Sequence, residues 1–199
     1  TPKRIVLATH GTLGDLHPYL AIASELQARG HRPLIATSEY HRQTVEATGL
    51  EFHPLRPDIS FEDKQQHRRF IEPKRGLERV IREFILPSLR ESYEDLSAVA
   101  QGADLLISQL LIFAAPLIAE KFGVRWVSTE LQPGAFMSAY DPPVLAPLPS
   151  LARFRGLGPT FHQPLFRFAK MIGRSWSEPV YQLRKELGLA RGLDPLFAG

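Results

Sequence analysis

The chain has 199 residues, 44% of them hydrophobic and 23% charged, which fits one ordinary domain with a sizeable core and excludes a disordered, collagen-like or coiled-coil chain. It has no cysteine, so disulfides, thiolate zinc sites, iron–sulfur clusters and a cysteine nucleophile are excluded. A net charge of +3 is too small for a dedicated nucleic-acid binder.

Arg4 to Thr9 (RIVLAT) is predicted as a buried first strand. From Asp15 to Arg29, Leu16, Leu20, Ile22, Ala23 and Leu26 recur at near-helical spacing, and Arg29-Gly30 ends the helix. Pro33 to Thr37 reads as strand two, Tyr40 to Thr48 as a short helix and Glu51 to Leu55 as strand three. A long helical excursion follows. Asp104 to Ser108 and Arg125 to Thr129 supply strands four and five, separated by an apolar helix from Leu111 to Phe122 that stops at Gly123. This alternation is the signature of βαβ units, a doubly wound, mostly parallel, Rossmann-like α/β sheet covered on both faces. Residues 131–159, rich in proline and glycine, read as a long surface loop. Residues 160–188 carry an apolar repeat of three or four that predicts C-terminal helices broken at Pro179.

No export signal is evident, and the longest apolar stretch, Leu105 to Ala119, is interrupted and falls short of the roughly 20 residues that cross a bilayer. A cytoplasmic protein is expected. In 64–85, Lys64, Arg68, Arg69, Lys74, Arg75, Arg79 and Arg82 outnumber Glu72 and Glu78, beside apolar Leu77, Val80, Ile81, Phe84 and Ile85. That is the composition of a helix lying peripherally on the anionic inner face of a membrane. It is also that of a solvated face over an ordinary core helix, the commoner case.

The chemistry concentrates in the loop after strand one, His10 to Pro18 (HGTLGDLHP). Gly11 and Gly14, three apart between a strand and a helix, let the backbone turn sharply and approach a ligand, and the carboxyl ends of the strands are where open α/β sheets bind. A dinucleotide fingerprint would need a third glycine, and a Walker loop a Gly-Lys-Ser/Thr; neither is present. Asp15 favours the helix N-terminus but repels a phosphate, so this end of the sheet is expected to face a hydroxyl. His10, Asp15 and His17 match no common zinc spacing, and no metal is expected.

The run HGTLGDLHPYLAIASELQARGH resembles the start of glycosyltransferases of the two-domain GT-B architecture, in the bacterial and sterol branch with the pattern G-S/T-x-G-D-x-x-P followed by an L-A-x-x-L-x-x-R-G-H helix. The later VRWVSTELQPGAF and SAYDPPVLAPLP are similar to the corresponding loop of rhamnosyltransferase-like and family 28 members. The resemblance implies that 1–199 is an N-terminal, acceptor-binding Rossmann-like domain, one half of a GT-B enzyme whose C-terminal donor-binding domain lies outside this sequence. It implies a UDP- or dTDP-hexose as donor, no cofactor held by this chain, and a lipophilic alcohol as acceptor. Asp15 would be the base of an inverting transfer, with capping of helix one as its structural alternative. Gly11, Thr12, Leu13 and Gly14 would lie near the donor phosphate, or form an ordinary turn. His10, Gln132, Phe136 and Met137 would line the acceptor, the last three equally well being plain loop packing. Plant-type relatives place a carboxylate at the end of strand four; here stand Ser108 and Gln109, so Asp15 is expected to act alone. Two alternatives remain: an NAD(P)-binding oxidoreductase with Glu39 reading the ribose, and a non-catalytic partner subunit.

Overall fold

The computed structural model describes residues 1–58, 72, 75–132, 138–144 and 149–192. Among them, five strands, β1 (Arg4–Ala8), β2 (Arg32–Thr37), β3 (Glu51–Pro54), β4 (Leu105–Gln109) and β5 (Trp126–Thr129), form one sheet in the order β3-β2-β1-β4-β5. Every pairing is parallel. β1 is bonded on both sides, Ala8 standing opposite Ala36 on one and Ser108 on the other.

Period-two alternation divides the core. Ile5, Leu7 and Ile35 point to one face, where Leu16, Tyr19, Leu20 and Ala23 of α1 (Leu13–Ala28) and Val45 of α2 (Arg42–Glu46) cover them. Val6, Ala8, Leu34, Ala36 and Leu106 point to the other, against Leu96, Val99 and Ala100 of α4 (Leu89–Ala100) and Ala114, Ala115 and Ile118 of α5 (Ala114–Phe122). Both faces are dry, which is why β1 and β2 read as unbroken apolar runs.

Three boundaries differ from the sequence reading in ways that matter. The first helix begins at Leu13, two residues before Asp15, because Thr12 caps it. Strand four runs one residue further, so Gln109 closes it, opposite Thr129. The break between the C-terminal helices α6 (Pro159–Gly173) and α7 (Glu178–Glu186) falls at 174–177. Pro179 lies in the first turn of α7, where its missing N–H costs nothing, and therefore starts a helix instead of breaking one. Within the long loop, 149–157 forms 3-10 turns and 138–144 has no regular structure.

The described end of the basic stretch packs its apolar side partly into the core. Short helix α3 (Gly76–Arg79) continues as a π-helical turn over Val80–Ile85. Ile81 and Ile85 are buried with Leu89, Phe113, Leu117, Val180 and Leu183 in a third apolar cluster. Arg79 pairs with Glu72, and Arg82 with Glu78 at 3.1 Å. Residues 64–71, 73 and 74 lie outside the described residues. Among those described, no helix is long and apolar enough to cross a membrane.

Ile85→Asp separates the two readings of this stretch: placing a carboxylate in the third cluster is expected to cost about 3 kcal/mol or more, read from urea unfolding, whereas a surface-facing residue would tolerate it.

Candidate functional site

The chain leaves β1 toward β2 and leaves β4 toward β5, so the sheet order reverses between β1 and β4. A crevice at the carboxyl ends of the strands follows from that reversal. The loops that flank it are 9–12 and 110–113.

On the β1 side, Thr12 is the N-cap of α1 and Asp15 its third residue, together forming a capping box. The Thr12 N–H donates to Asp15 Oδ2 at 2.8 Å, and the Thr12 hydroxyl donates to the same oxygen at 3.1 Å while accepting from the Gly14 N–H at 3.3 Å. Asp15 is partly exposed; Thr12, Leu13 and Gly14 are exposed around it. Gly11 has φ +126°, a conformation L side chains rarely adopt, and a Cβ there would lie 2.2 Å from Asp15 Oδ2. Glycine is therefore required at position 11. Position 14 is different: Gly14 has ordinary helical geometry, and a Cβ would meet only Thr12 Oγ1 at 3.4 Å. The pair of glycines is thus one turn former and one helix residue.

Two side chains from elsewhere in the chain, His41 and Gln109, hold this loop. His41 is buried, and its Nε2 lies 2.9 Å from the Gly11 carbonyl oxygen. Since a carbonyl only accepts, Nε2 carries the proton. Gln109 reaches across the crevice: its Nε2 lies 3.3 Å from Asp15 Oδ1, and its Oε1 accepts from Thr9 Oγ1 at 3.1 Å and from the His10 N–H at 3.3 Å. At the end of strand four Asp15 meets the Gln109 amide, and no carboxylate stands there. The sequence marked Gln109 as standing where plant-type relatives carry a carboxylate, and gave no signal for His41.

Below the carboxylate, one turn along α1, Tyr19 is buried and meets Thr129 Oγ1. Thr129 donates to the Ser108 carbonyl at 3.1 Å, so the Tyr19 hydroxyl is the donor to Thr129. Burial pushes the Tyr19 phenol up to about 12, with the Thr129 bond opposing. It stays protonated and ties α1 to the ends of β4 and β5. Trp126 Nε1 donates to Ser108 Oγ at 2.9 Å, which completes the floor.

His10 is 6% exposed and, among the described residues, no group meets either ring nitrogen in good hydrogen-bond geometry, the Arg56 backbone being a weak neighbour. Its main-chain N–H donates to Gln109 Oε1, and its ring feels the backbone of Arg56 and the charge of Asp58. Burial lowers its pKa to about 4, against smaller opposing pulls from Arg56 and Asp58, so the imidazole is neutral near pH 7. His17 is exposed on the first turns of α1. Among the described residues, no group of three His, Cys, Asp or Glu side chains is arranged to hold a metal. Gln132 is exposed just past β5, where Glu130 Oε1 accepts the N–H groups of Leu131 and Gln132 at 2.8 and 3.0 Å. Phe136 and Met137 lie outside the described residues. Glu39, the residue of the dinucleotide alternative, is engaged by the Arg42 guanidinium on the surface.

The model of the glycosyltransferase family 28 N-terminal domain matches residues 5–141. The chain belongs to that family, and its fold is the Rossmann-like α/β half of the GT-B architecture. It is 31% identical over 150 residues to a sterol 3-beta-glucosyltransferase of Neurospora crassa, a match that covers 68% of this chain and 9% of that protein. A sterol 3-beta-glucosyltransferase of Arabidopsis thaliana is 46% identical over 57 residues, 29% of this chain and 9% of its own length. The chain therefore spans about a tenth of those relatives. Among solved structures, the glycosyltransferase SsfS6 of Streptomyces sp. SF2575 superposes with a TM-score of 0.58 at 20% identity, over 98% of this chain and 49% of that one.

Two outcomes follow. Below its ordinary pKa of 6.5 the unfolded chain protonates His10 while the folded chain does not until about 4, so stability is complete above that window and falls as pH drops through it. The loss is at most about 1.4 kcal/mol per pH unit, and His10→Leu should flatten the urea midpoint between pH 7 and 4.5. Gly11→Ala should displace the Asp15 carboxylate from the Thr12 N–H and cost about 1–3 kcal/mol, read from thermal melting.

Proposed function

We propose that this chain is the N-terminal, acceptor-binding domain of a nucleotide-sugar-dependent glycosyltransferase that moves a hexose onto a hydroxyl of a lipophilic acceptor with inversion, and that Asp15 is the base. The observation that carries the reading is the Asp15 carboxylate at the sheet reversal of a family 28 N-terminal domain. Oδ2 already accepts two hydrogen bonds, while Oδ1 accepts one and keeps a lone pair for a substrate proton. Capping the helix and acting as base are compatible, because they use different oxygens.

The step balances without any further reagent. The acceptor O–H gives its proton to Asp15 Oδ1 as the oxygen attacks the anomeric carbon. The bond from that carbon to the donor phosphate breaks, and the nucleoside diphosphate leaves with the electron pair. Attack opposite the leaving group inverts the anomeric centre, and one general base suffices. Thr12, Leu13 and Gly14, exposed at the start of α1, would stand beside the donor phosphate, which a second, donor-binding domain would hold. Gln132, Phe136 and Met137 would wall the acceptor beyond β5, and His10, a neutral imidazole with unpartnered nitrogens, would wall it beyond β1. The relatives' names make a sterol the first acceptor to try and glucose the first sugar.

The test uses the enzyme in which this domain is joined to its donor-binding half. UDP-glucose and dTDP-glucose are offered with cholesterol and a panel of hydroxylated aglycones, and glucoside is followed by mass spectrometry. Asp15→Asn should lower kcat by about 10²- to 10⁴-fold while leaving acceptor binding in place. Full turnover by Asp15→Asn overturns the base assignment, and no glucoside from any pair overturns the substrate class.

A further inference from the structure

We infer that Gln109 is a positioning residue, a polarity-defined bracket that sets the plane of the Asp15 carboxylate and leaves one oxygen facing the acceptor. The inference rests on the reading of Asp15 as base.

A glutamine amide has an accepting end and a donating end, and its neighbours decide which is which. The His10 main-chain N–H, 3.3 Å from the side chain, can only donate. The amide oxygen must therefore face β1, where the Thr9 hydroxyl also donates to it at 3.1 Å. That leaves the NH2 for Asp15 Oδ1 at 3.3 Å. The reverse orientation would set N–H against N–H and oxygen against carboxylate, two repulsions at once. Gln109 is 8% exposed, which favours the satisfied orientation further.

The bracket supplies something the capping box does not. Both Thr12 donors act on Oδ2, and the last torsion of an aspartate is broad, so contacts to one oxygen leave the carboxylate plane free to swing about it. The contact to Oδ1 closes that freedom. Its source is a rigid one: Gln109 closes β4, whose Ser108 is in register with Ala8 of β1. Asp15 is thus held from its own helix by one oxygen and from the neighbouring strand by the other.

Gln109→Leu removes both ends of the amide; Gln109→Glu keeps an oxygen for the His10 N–H and replaces the NH2 with a second oxygen. With UDP-glucose and cholesterol, in the enzyme that joins this domain to its donor-binding half, Gln109→Leu should lower kcat about 10- to 100-fold and change the acceptor KM by less than about threefold. In Gln109→Glu the acid limb of the pH–rate profile should move to higher pH, since two neighbouring carboxyl groups retain a shared proton. Wild-type kcat in Gln109→Leu, or a loss in both variants with an unmoved pH profile, overturns the inference. A measurement that needs neither turnover nor a Gln109 variant uses the nitrogen-15 side-chain amide signal of Gln109. It should shift between wild type and Asp15→Asn, and an unchanged signal overturns the bracket. Asp15→Asn with full turnover would instead overturn the base reading, while the amide signal still reports on the contact.

Discussion

Hydrogen bonding of β1 on both edges is the constraint on which the rest depends. With β2 on one side and β4 on the other, all parallel, the strand ends gather at one edge of the sheet and the connections diverge there. Thr9 and Gln109, a hundred residues apart in sequence, become neighbours because Ala8 and Ser108 are in register. No local feature of either segment would bring them together.

Asp15 satisfies the start of α1, and the proposed chemistry would use the same carboxylate. As third residue of α1 its carboxylate accepts the Thr12 N–H that would otherwise be unpaired at the helix start, and negative charge there suits the helix dipole. The same location faces the crevice. The backbone accommodates this by an unusual conformation at Gly11, where any side chain would meet the carboxylate, and by the His41 contact that anchors the Gly11 carbonyl.

Seven of the eleven buried polar residues among those described lie on the carboxyl side of the sheet: Thr9, His10, Thr37, Ser38, His41, Ser108 and Gln109. Most are paired. Ser38 donates to Asp58, which also accepts the Tyr40 N–H, and Tyr19, Thr129 and Ser108 form a chain beneath the site. The unpartnered ring of His10 and the hydroxyl of Thr37 are the exceptions among the described residues at this edge.

The fold class, the five strands and the turn before α1 were legible locally, because buried parallel strands are unbroken apolar runs and a glycine-rich turn before a helix is a local signal. Asp15 was legible for the same reason: its motif is contiguous. The basic amphipathic pattern of 64–85 was ambiguous, since such a stripe has the same composition whether its apolar side meets lipid or a protein core, and for its described part only the tertiary structure shows Ile81 and Ile85 packed against α4, α5 and α7. The position of Gln109 at the end of strand four was legible, but its contacts and the role of His41 were not, for a different reason. Their roles depend on which side chains the sheet order and the helix packing bring to one edge, a long-range geometry that no local pattern encodes, and that tertiary structure alone turned a lone aspartate into one held from two elements.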